Sequence, residues 1–475
     1  MSQSLPRALP ERQGVDTAAI LAFIDAIGAG GIELHSMMVL RHGSVIAEGW
    51  WSPYRATAPH LLFSLSKSFT ASAVGIALAE SLLTLDDLVL SFFPDDAPAD
   101  VSEYLAAMRV RDLLCMGTGH ETDTTVAMLS AADGNWARAF LAQPVTHAPG
   151  TFFCYNSGAT YMLSAIVQRL SGQTVLAYLE PRLLAPLGIV GATWETCPRG
   201  INVGGWGLSI TTEDIARFGQ LYLRRGSWNG AQLLSEAWVA EATRVQIANG
   251  TDAASDWAQG YGYQFWMCRH GGYRGDGAFG QYCVVLPECE VVIAITSGIS
   301  DMQIVLSLVW ELLLPGIDGQ ALCSDQRTQA LLEARLDGLT LPQPYGNTSS
   351  PLEGFVGERR YHIATNDEGI AAVTLHFGDA TATCVIEDGA GERALTAGRG
   401  TWHDGEAVVY GRRGLQRVAA SGTWEDGRTY TLVAYLFETP FCLTHRFRFD
   451  DSGVTIERSW NVNFGPTSLA TLTGH

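Results

Sequence analysis

Ser64 and Lys67 stand three positions apart in the run Phe63-Ser64-Leu65-Ser66-Lys67-Ser68-Phe69, and Lys67 is the sole lysine of a 475-residue chain. The other 29 of its 30 Lys and Arg residues are arginine. Arginine keeps its proton throughout the physiological range, whereas a desolvated lysine can release one near neutrality. A lone lysine in an arginine background marks a place that needs a removable proton. Ser-x-x-Lys is also the spacing of a serine nucleophile activated by a lysine base. Two plainer accounts fit the same residues: codon bias in a GC-rich genome, and a lysine snorkelling from a helix that Ser64 caps.

The neighbouring residues supply a geometry. Phe69 to Leu78 is a largely apolar stretch without proline, with Gly75 its only weak point as a helix, and it reads as a buried helix. Ser64 falls at or near its N-terminus, with Lys67 one turn on. Positions i and i+3 share a helix face, so the lysine nitrogen reaches the Ser64 hydroxyl while Ser66 and Ser68 point elsewhere. A helix N-terminus adds free N–H groups and partial positive charge where an alkoxide or acyl oxyanion would form. Apolar burial predicts a lysine pKa lowered from about 10.4 toward roughly 7–8.

The formal charge of −19, with no basic cluster to offset it, argues against a nucleic acid or an anionic membrane as partner. No apolar run reaches the roughly 18 residues of a membrane span, and Glu80 interrupts the best one. Met1 to Arg7 lacks an apolar secretory core, and the nine cysteines are scattered without a CxxC pair. A cytoplasmic protein with buried free thiols is therefore expected. There is no HExxH and no ligand-spaced His/Cys cluster, so neither a metal nor a cofactor is expected.

The elements that must position Ser64 and Lys67 follow from the hydrophobic pattern. Asp16 opens an amphipathic helix closed by Gly28, and Ser36 to Trp51 alternates as a hairpin around Arg41-His42-Gly43-Ser44. Helices are predicted at 111–116, 159–170, 212–223, 235–243 and 301–314, and strands at 261–267, 280–286 and 291–297. The fold class is α+β: an antiparallel sheet flanked by helices over residues 1–336. Residues 337–351 read as a linker. Residues 352–475 read as a C-terminal all-β domain, open sheet or barrel, with strands at 371–377, 382–386, 407–410, 429–437, 444–449 and 454–460. That domain either shapes the cleft or mediates homo-oligomer assembly.

Over roughly residues 10–315 the sequence resembles the serine β-lactamase and penicillin-binding-protein superfamily. It is most similar to the class C-like branch that includes esterases, D-aminopeptidases and aminohexanoate-oligomer hydrolases. Ser64-Leu65-Ser66-Lys67 matches the first family motif, which implies Ser64 as nucleophile and Lys67 as base. Arg111-Asp112-Leu113-Leu114 followed by Gly117-Thr118-Gly119-His120 resembles the helix and loop bordering the family's site. Pro149-Gly150-Thr151 leads to Tyr155-Asn156-Ser157, where Tyr155 matches the proton-relaying tyrosine and Ser157 stands where asparagine is usual. The Lys-Thr-Gly motif is replaced by Gly275-Asp276-Gly277, with Arg274 able to stand in for its cation. By that alignment the Ala278 N–H pairs with that of Ser64 as an oxyanion hole, each donor worth about 2.7–4 kcal/mol. His120, Ser157, Asp276 and Gly277 are the implied substrate contacts.

The function expected is a serine hydrolase cleaving a small ester or amide through an acyl-Ser64 intermediate, its partner a small-molecule substrate. A D-amino-acid peptidase or amidase is the alternative within the enzymes. β-Lactam hydrolysis is disfavoured by the missing asparagine and Lys-Thr-Gly. Outside the enzymes stands a ligand sensor that acylates at Ser64 and deacylates slowly or not at all. No GxSxG elbow occurs, which argues against an α/β-hydrolase.

Overall fold

The computed structural model describes residues 4–412 and 414–475. Its contacts divide the chain into two compact units. One is built from residues up to 49 with 59–297 and 301–338, the other from 50–58, 298–300 and 339–475.

In the first unit, helix α1 (Thr17–Ala29) begins where the Asp16 carboxylate accepts the Ala18 N–H. It runs through Gly28 and stops at Gly30, whose N–H still reaches the Ala26 carbonyl, so the expected stop at Gly28 is two residues early. Strands β1 (Leu34–Arg41) and β2 (Ser44–Trp50) flank the turn His42-Gly43, where both residues have positive φ (50° and 80°) as a tight hairpin demands. With β3 (Trp266–Met267), β4 (Tyr273–Gly277), β5 (Gln281–Leu286) and β6 (Val291–Ser297), they form a six-stranded sheet of order β2-β1-β6-β5-β4-β3. Pairing is antiparallel from β1 to β3, with Met38 opposite Ala294, Cys283 opposite Ala294 and Gln281 opposite Gly277. Strands β1, β5 and β6 are buried along their whole length.

Helix α2 (Ser66–Ala79) is buried at every residue from Ser66 to Ala77. It packs against α4 (Ser157–Ser171), which in turn packs on the short α3 (Val110–Leu114). Helix α5 (Thr212–Leu223) is held at its start by a reciprocal Thr211–Asp214 capping box. It lies across β1, β5 and β6, and its Phe218 ring stacks on Phe69 of α2 at 3.8 Å. The predicted helix 301–314 is α7 (Met302–Leu308) continued by a wider π turn, Val309–Leu313; between α5 and α7 lies α6 (Glu236–Ala242). The expected strand 261–267 forms only at Trp266–Met267. Gln264 breaks it with φ +63° and turns inward, its amide bonding Thr160 and the Leu113 and Leu114 carbonyls.

The second unit is a ten-stranded sheet. Its strands are β7 (Arg360–His362), β8 (Ile370–Phe377), β9 (Thr381–Asp388), β10 (Gly391–Arg399), β11 (His403–Val408), β12 (Leu415–Trp424), β13 (Thr429–Tyr435), β14 (Cys442–Asp450), β15 (Gly453–Trp460) and β16 (Leu472–Gly474). The path runs β7-β8-β9-β10-β12-β13-β14-β15-β16, with β11 paired to β12. Its ends meet: Ile363 bridges Gly474, and His362 and His475 exchange backbone hydrogen bonds of 3.1 Å. The sheet is thus a nearly closed barrel. Strands β10 and β12 lie outside the sequence expectation because small and polar residues interrupt their apolar pattern. Small residues are required at one such point, since a Cβ on Gly422 would stand 2.0 Å from the Tyr430 hydroxyl. Of the nine cysteines, six are buried, Cys154 and Cys289 are half-buried, and Cys323 is exposed, against the expectation that all are inside.

Gly75 shows how tightly α2 is enclosed. A Cβ there would lie 2.5 Å from the Trp238 indole. Alanine in a helix is ordinarily worth about 1 kcal/mol over glycine. Here Gly75→Ala should instead destabilise by about 1–3 kcal/mol through overpacking, read as a lower urea midpoint; an unchanged or raised midpoint would show that the indole yields freely.

Candidate functional site

Ser64 sits in the 3-10 turn Phe63–Leu65 that feeds α2, with Lys67 in the first turn of the helix. Lys67 Nζ lies 2.9 Å from Ser64 Oγ, 3.1 Å from Ser157 Oγ and 2.7 Å from the Gly205 carbonyl oxygen. The lysine is 1% exposed, while Ser64 remains half-open. Among the described residues no carboxylate stands within ion-pair distance of the amine. Burial therefore lowers its pKa to about 7, against the weaker pull of the Asp123 and Asp276 charges. Ser66 and Ser68 do turn away, Ser66 Oγ accepting the Leu208 N–H and Ser68 Oγ donating to the Gln264 carbonyl.

Tyr155 lays its ring 4.9 Å from Lys67 Nζ. Its ring packs beside Trp266 (5.1 Å) and edge-on to Tyr261 (6.1 Å). Burial, with the Asp276 charge, raises its pKa above the ordinary tyrosine range, so near neutral pH it is a phenol that can donate. Asn156 is fully buried and caps α4, accepting from Gly158 N–H and from the Thr124 hydroxyl and N–H. Ser157, next along, is the residue that meets the lysine.

Strand β4 brings its backbone against the serine. A Cβ on Gly277 would stand 2.0 Å from the Leu62 carbonyl oxygen, and one on Gly275 would stand 2.4 Å from Leu65 Cδ1. Ala278 follows in a loop fastened by Gln281, whose amide donates to the Ala278 and Ser297 carbonyls at 3.0 and 2.8 Å. Phe63 and Phe279, each adjacent to one expected oxyanion donor, adopt positive φ (47° and 67°), and their rings meet edge to face at 5.5 Å. Left-handed backbone at a non-glycine residue is costly and persists only where surrounding packing compels it.

The expected substrate contacts divide. Asp276 is 5% exposed and accepts from Arg274 Nε at 2.9 Å; burial raises its pKa. Arg274 is wholly buried, donates also to the Asp256 carbonyl and lies over the Trp257 ring at 4.5 Å. It is therefore engaged inside the fold, and the expectation that it replaces the family's anchoring cation is corrected. His120 is 2% exposed, bonded through Nδ1 to Thr118 Oγ1 at 2.9 Å, and burial lowers its pKa to about 4. It lines a 440 Å³ cavity with Asp123. Sequence reasoning passed over Asp123, which accepts the Ser157 N–H at 3.2 Å, and over Gly205. The signal for Gly205 was the run Gly204-Gly205-Trp206-Gly207; its Cβ would lie 3.0 Å from the Ser157 carbonyl oxygen. Asp123 carries no pattern of its own. Among the described residues no group of three His, Cys, Asp or Glu is placed to hold a metal, and no helix is long and apolar enough to cross a membrane.

Because the chain has one lysine, ε-13C-lysine labelling gives a single resonance to titrate. Its midpoint should fall near pH 7; a midpoint close to the free value of about 10.4 would show a solvated, charged amine. The same shift affects stability. From about pH 7 up to the unfolded value the unfolded chain holds a proton that the folded chain lacks, so this group makes stability rise with pH over that window. Urea melts of wild type and Lys67→Met should differ in that slope.

A beta-lactamase family model matches residues 20–301, more than half of the chain. The 6-aminohexanoate-dimer hydrolase of Paenarthrobacter ureafaciens is 26% identical over 290 residues, covering 56% of this chain and 73% of that protein. Penicillin-binding protein 4 of Amycolatopsis lactamdurans is 27% identical over 334 residues, covering 61% and 83%. Among solved structures, the octameric penicillin-binding protein homologue from Pyrococcus abyssi has a TM-score of 0.50 at 15% identity, covering 96% of this chain and 99% of that one, a likeness of fold. With a family match of that extent around a serine and an amine in hydrogen-bond contact, the chain belongs to the beta-lactamase family and is a serine hydrolase.

Proposed function

We propose that the protein hydrolyses a small amide or ester through an acyl-Ser64 intermediate. The observation that carries this reading is the buried Lys67 amine 2.9 Å from Ser64 Oγ, its pKa lowered by burial to about 7 so that it gives up its proton as pH rises through that value. Ser64 Oγ bonds to the substrate carbonyl carbon as its proton passes to Lys67 Nζ. The negative charge that develops on the carbonyl oxygen is met by the Ser64 and Ala278 N–H groups. The C–N or C–O bond then breaks, and the leaving group takes a proton from Tyr155, which Lys67 replenishes. Water, deprotonated by Lys67, attacks the acyl carbon and releases the acid and the serine. Tyr155 acts as donor because its raised pKa keeps the phenol protonated.

The amide form is supported by the relative named as a 6-aminohexanoate-dimer hydrolase. β-Lactam hydrolysis is disfavoured by Ser157 in the usual asparagine position and by the engagement of Arg274 with Asp276. The slow-deacylating sensor would instead give a stoichiometric burst without turnover.

Ser64→Ala should abolish both turnover on an ester and amide panel and labelling by a fluorophosphonate. An adduct that persists and maps to Ser66 or Ser157 would overturn the assignment. Lys67→Arg should fold but lose more than about a hundredfold in rate, since guanidinium keeps its proton at neutral pH. A loss within about tenfold, roughly 1.4 kcal/mol of barrier, would mean that charge alone suffices. Wild-type labelling should rise with pH up to about pH 7, as Lys67 loses its proton, and then level off.

A further inference from the structure

Phe63 and Phe279 stand next to the two residues whose N–H groups would meet the oxyanion, and both hold a backbone conformation that a bulky side chain resists. Phe63 (φ 47°) is joined to Ser64 by the peptide that carries the Ser64 N–H, and Phe279 (φ 67°) directly follows Ala278. Glycine adopts such angles without steric cost, and the chain uses it one residue on, at Gly280 with φ 87°. Phenylalanine at both strained positions therefore needs an interaction that glycine could not make. The rings supply one. They meet at 5.5 Å with an interplanar angle of 83°, the edge-to-face arrangement that aromatic quadrupoles favour. Phe279 is buried and Phe63 half-buried.

Each donor belongs to a different element. Ser64 lies in the turn before α2, which the Leu65 N–H closes by donating to the Leu62 carbonyl at 3.2 Å. Ala278 lies in the loop after β4, which Ser297 fastens from behind, its Oγ 2.9 Å from the Phe279 carbonyl oxygen and 2.7 Å from that of Gly280. The ring contact ties the turn to the loop through side chains. We propose that it is a latch that assembles the oxyanion hole, a role that rests on the acyl-Ser64 reading. Each ring holds the other residue's backbone in the left-handed region, so the Ser64 and Ala278 N–H groups are presented together or not at all. Phe63 and Phe279 are positioning residues: they act on the transition state through the neighbouring peptides.

The test is a double-mutant cycle on the full chain, read with p-nitrophenyl butyrate and with phenylboronic acid, whose tetrahedral serine adduct places an oxygen in the hole. Phe63→Leu and Phe279→Leu keep apolar bulk and remove the aromatic contact. Loss of one oxyanion donor costs about 10²–10³ in kcat. Each variant should therefore lose about thirtyfold or more in kcat with KM within about threefold, and the boronate Ki should rise in step. The double variant should lose no more than the poorer single variant, because one contact can be broken only once. Phe63→Tyr, which keeps the ring, should recover most of the loss. Urea midpoints are measured beside the rates; if Phe279→Leu unfolds, Phe63→Leu against Phe63→Tyr decides. A kcat for Phe63→Leu within about threefold of wild type, a loss confined to KM, an unchanged boronate Ki, a tyrosine no better than leucine, or single losses that multiply in the double variant would each overturn the latch. Fluorophosphonate labelling separates the two levels. A wild type labelled at Ser64 with any of those outcomes overturns the latch alone; an unlabelled, inactive wild type overturns the acyl-serine reading and the latch with it.

Discussion

Burying a lysine nitrogen among neutral oxygens is the constraint on which the rest of this site depends. An ammonium in such a place is costly, and the cost is relieved by giving up the proton. Lys67 has two hydroxyls and one peptide carbonyl within 3.1 Å, enough to satisfy an amine but too little to hold a full charge. That requirement explains the crowding nearby. Helix α2 is buried on every side for three turns, and Gly204 and Gly205 let a peptide carbonyl come to 2.7 Å of the nitrogen. A side chain at Gly204 would collide with Ser164, and one at Gly205 would press on Ser157. The helix that carries the lysine is held in place by the same closeness.

Two carboxylates could have spoiled this arrangement, and each is restrained differently. Asp276 sits on the adjacent strand, but Arg274 takes its charge at 2.9 Å. Asp123 lies toward solvent, where water screens it, and three donors tie one of its oxygens to the loop. Both still favour the protonated lysine, yet neither touches it, and burial outweighs them. A direct contact with either would have made an ion pair and kept the proton on nitrogen well above neutrality.

Much of this was legible in the chain because single residue types carried it. The lone lysine, the serine three positions before it and the apolar run after them are local signals, and the helix and the 2.9 Å contact follow from helical periodicity. The strands 281–286 and 291–297 and the helix 212–223 were readable because their apolar spacing is uninterrupted. What was not legible came from tertiary partners. Nothing around Gln264 announces that its amide must satisfy two carbonyls of α3 and so break a strand. Strand β12 carries glycine at 422 because the Tyr430 hydroxyl needs the room. Asp123 looks like any loop aspartate until Ser157 folds against it.

Strand β4 shows how one short segment serves two opposed demands. Its side chains alternate, as in any strand. Gly275 and Gly277 face the serine turn and carry no side chain, since even a methyl group would strike Leu65 or the Leu62 carbonyl. Arg274 and Asp276 occupy the intervening positions, paired to each other and packed under Trp257. A charged residue in either glycine position would push the serine turn away from the strand, and a glycine in place of Arg274 would leave Asp276 buried without its counter-charge. Such a carboxylate would either take up a proton or draw one onto Lys67. The close approach of backbone to nucleophile and the neutrality of the lysine therefore depend on the same alternation, read from opposite faces of the strand.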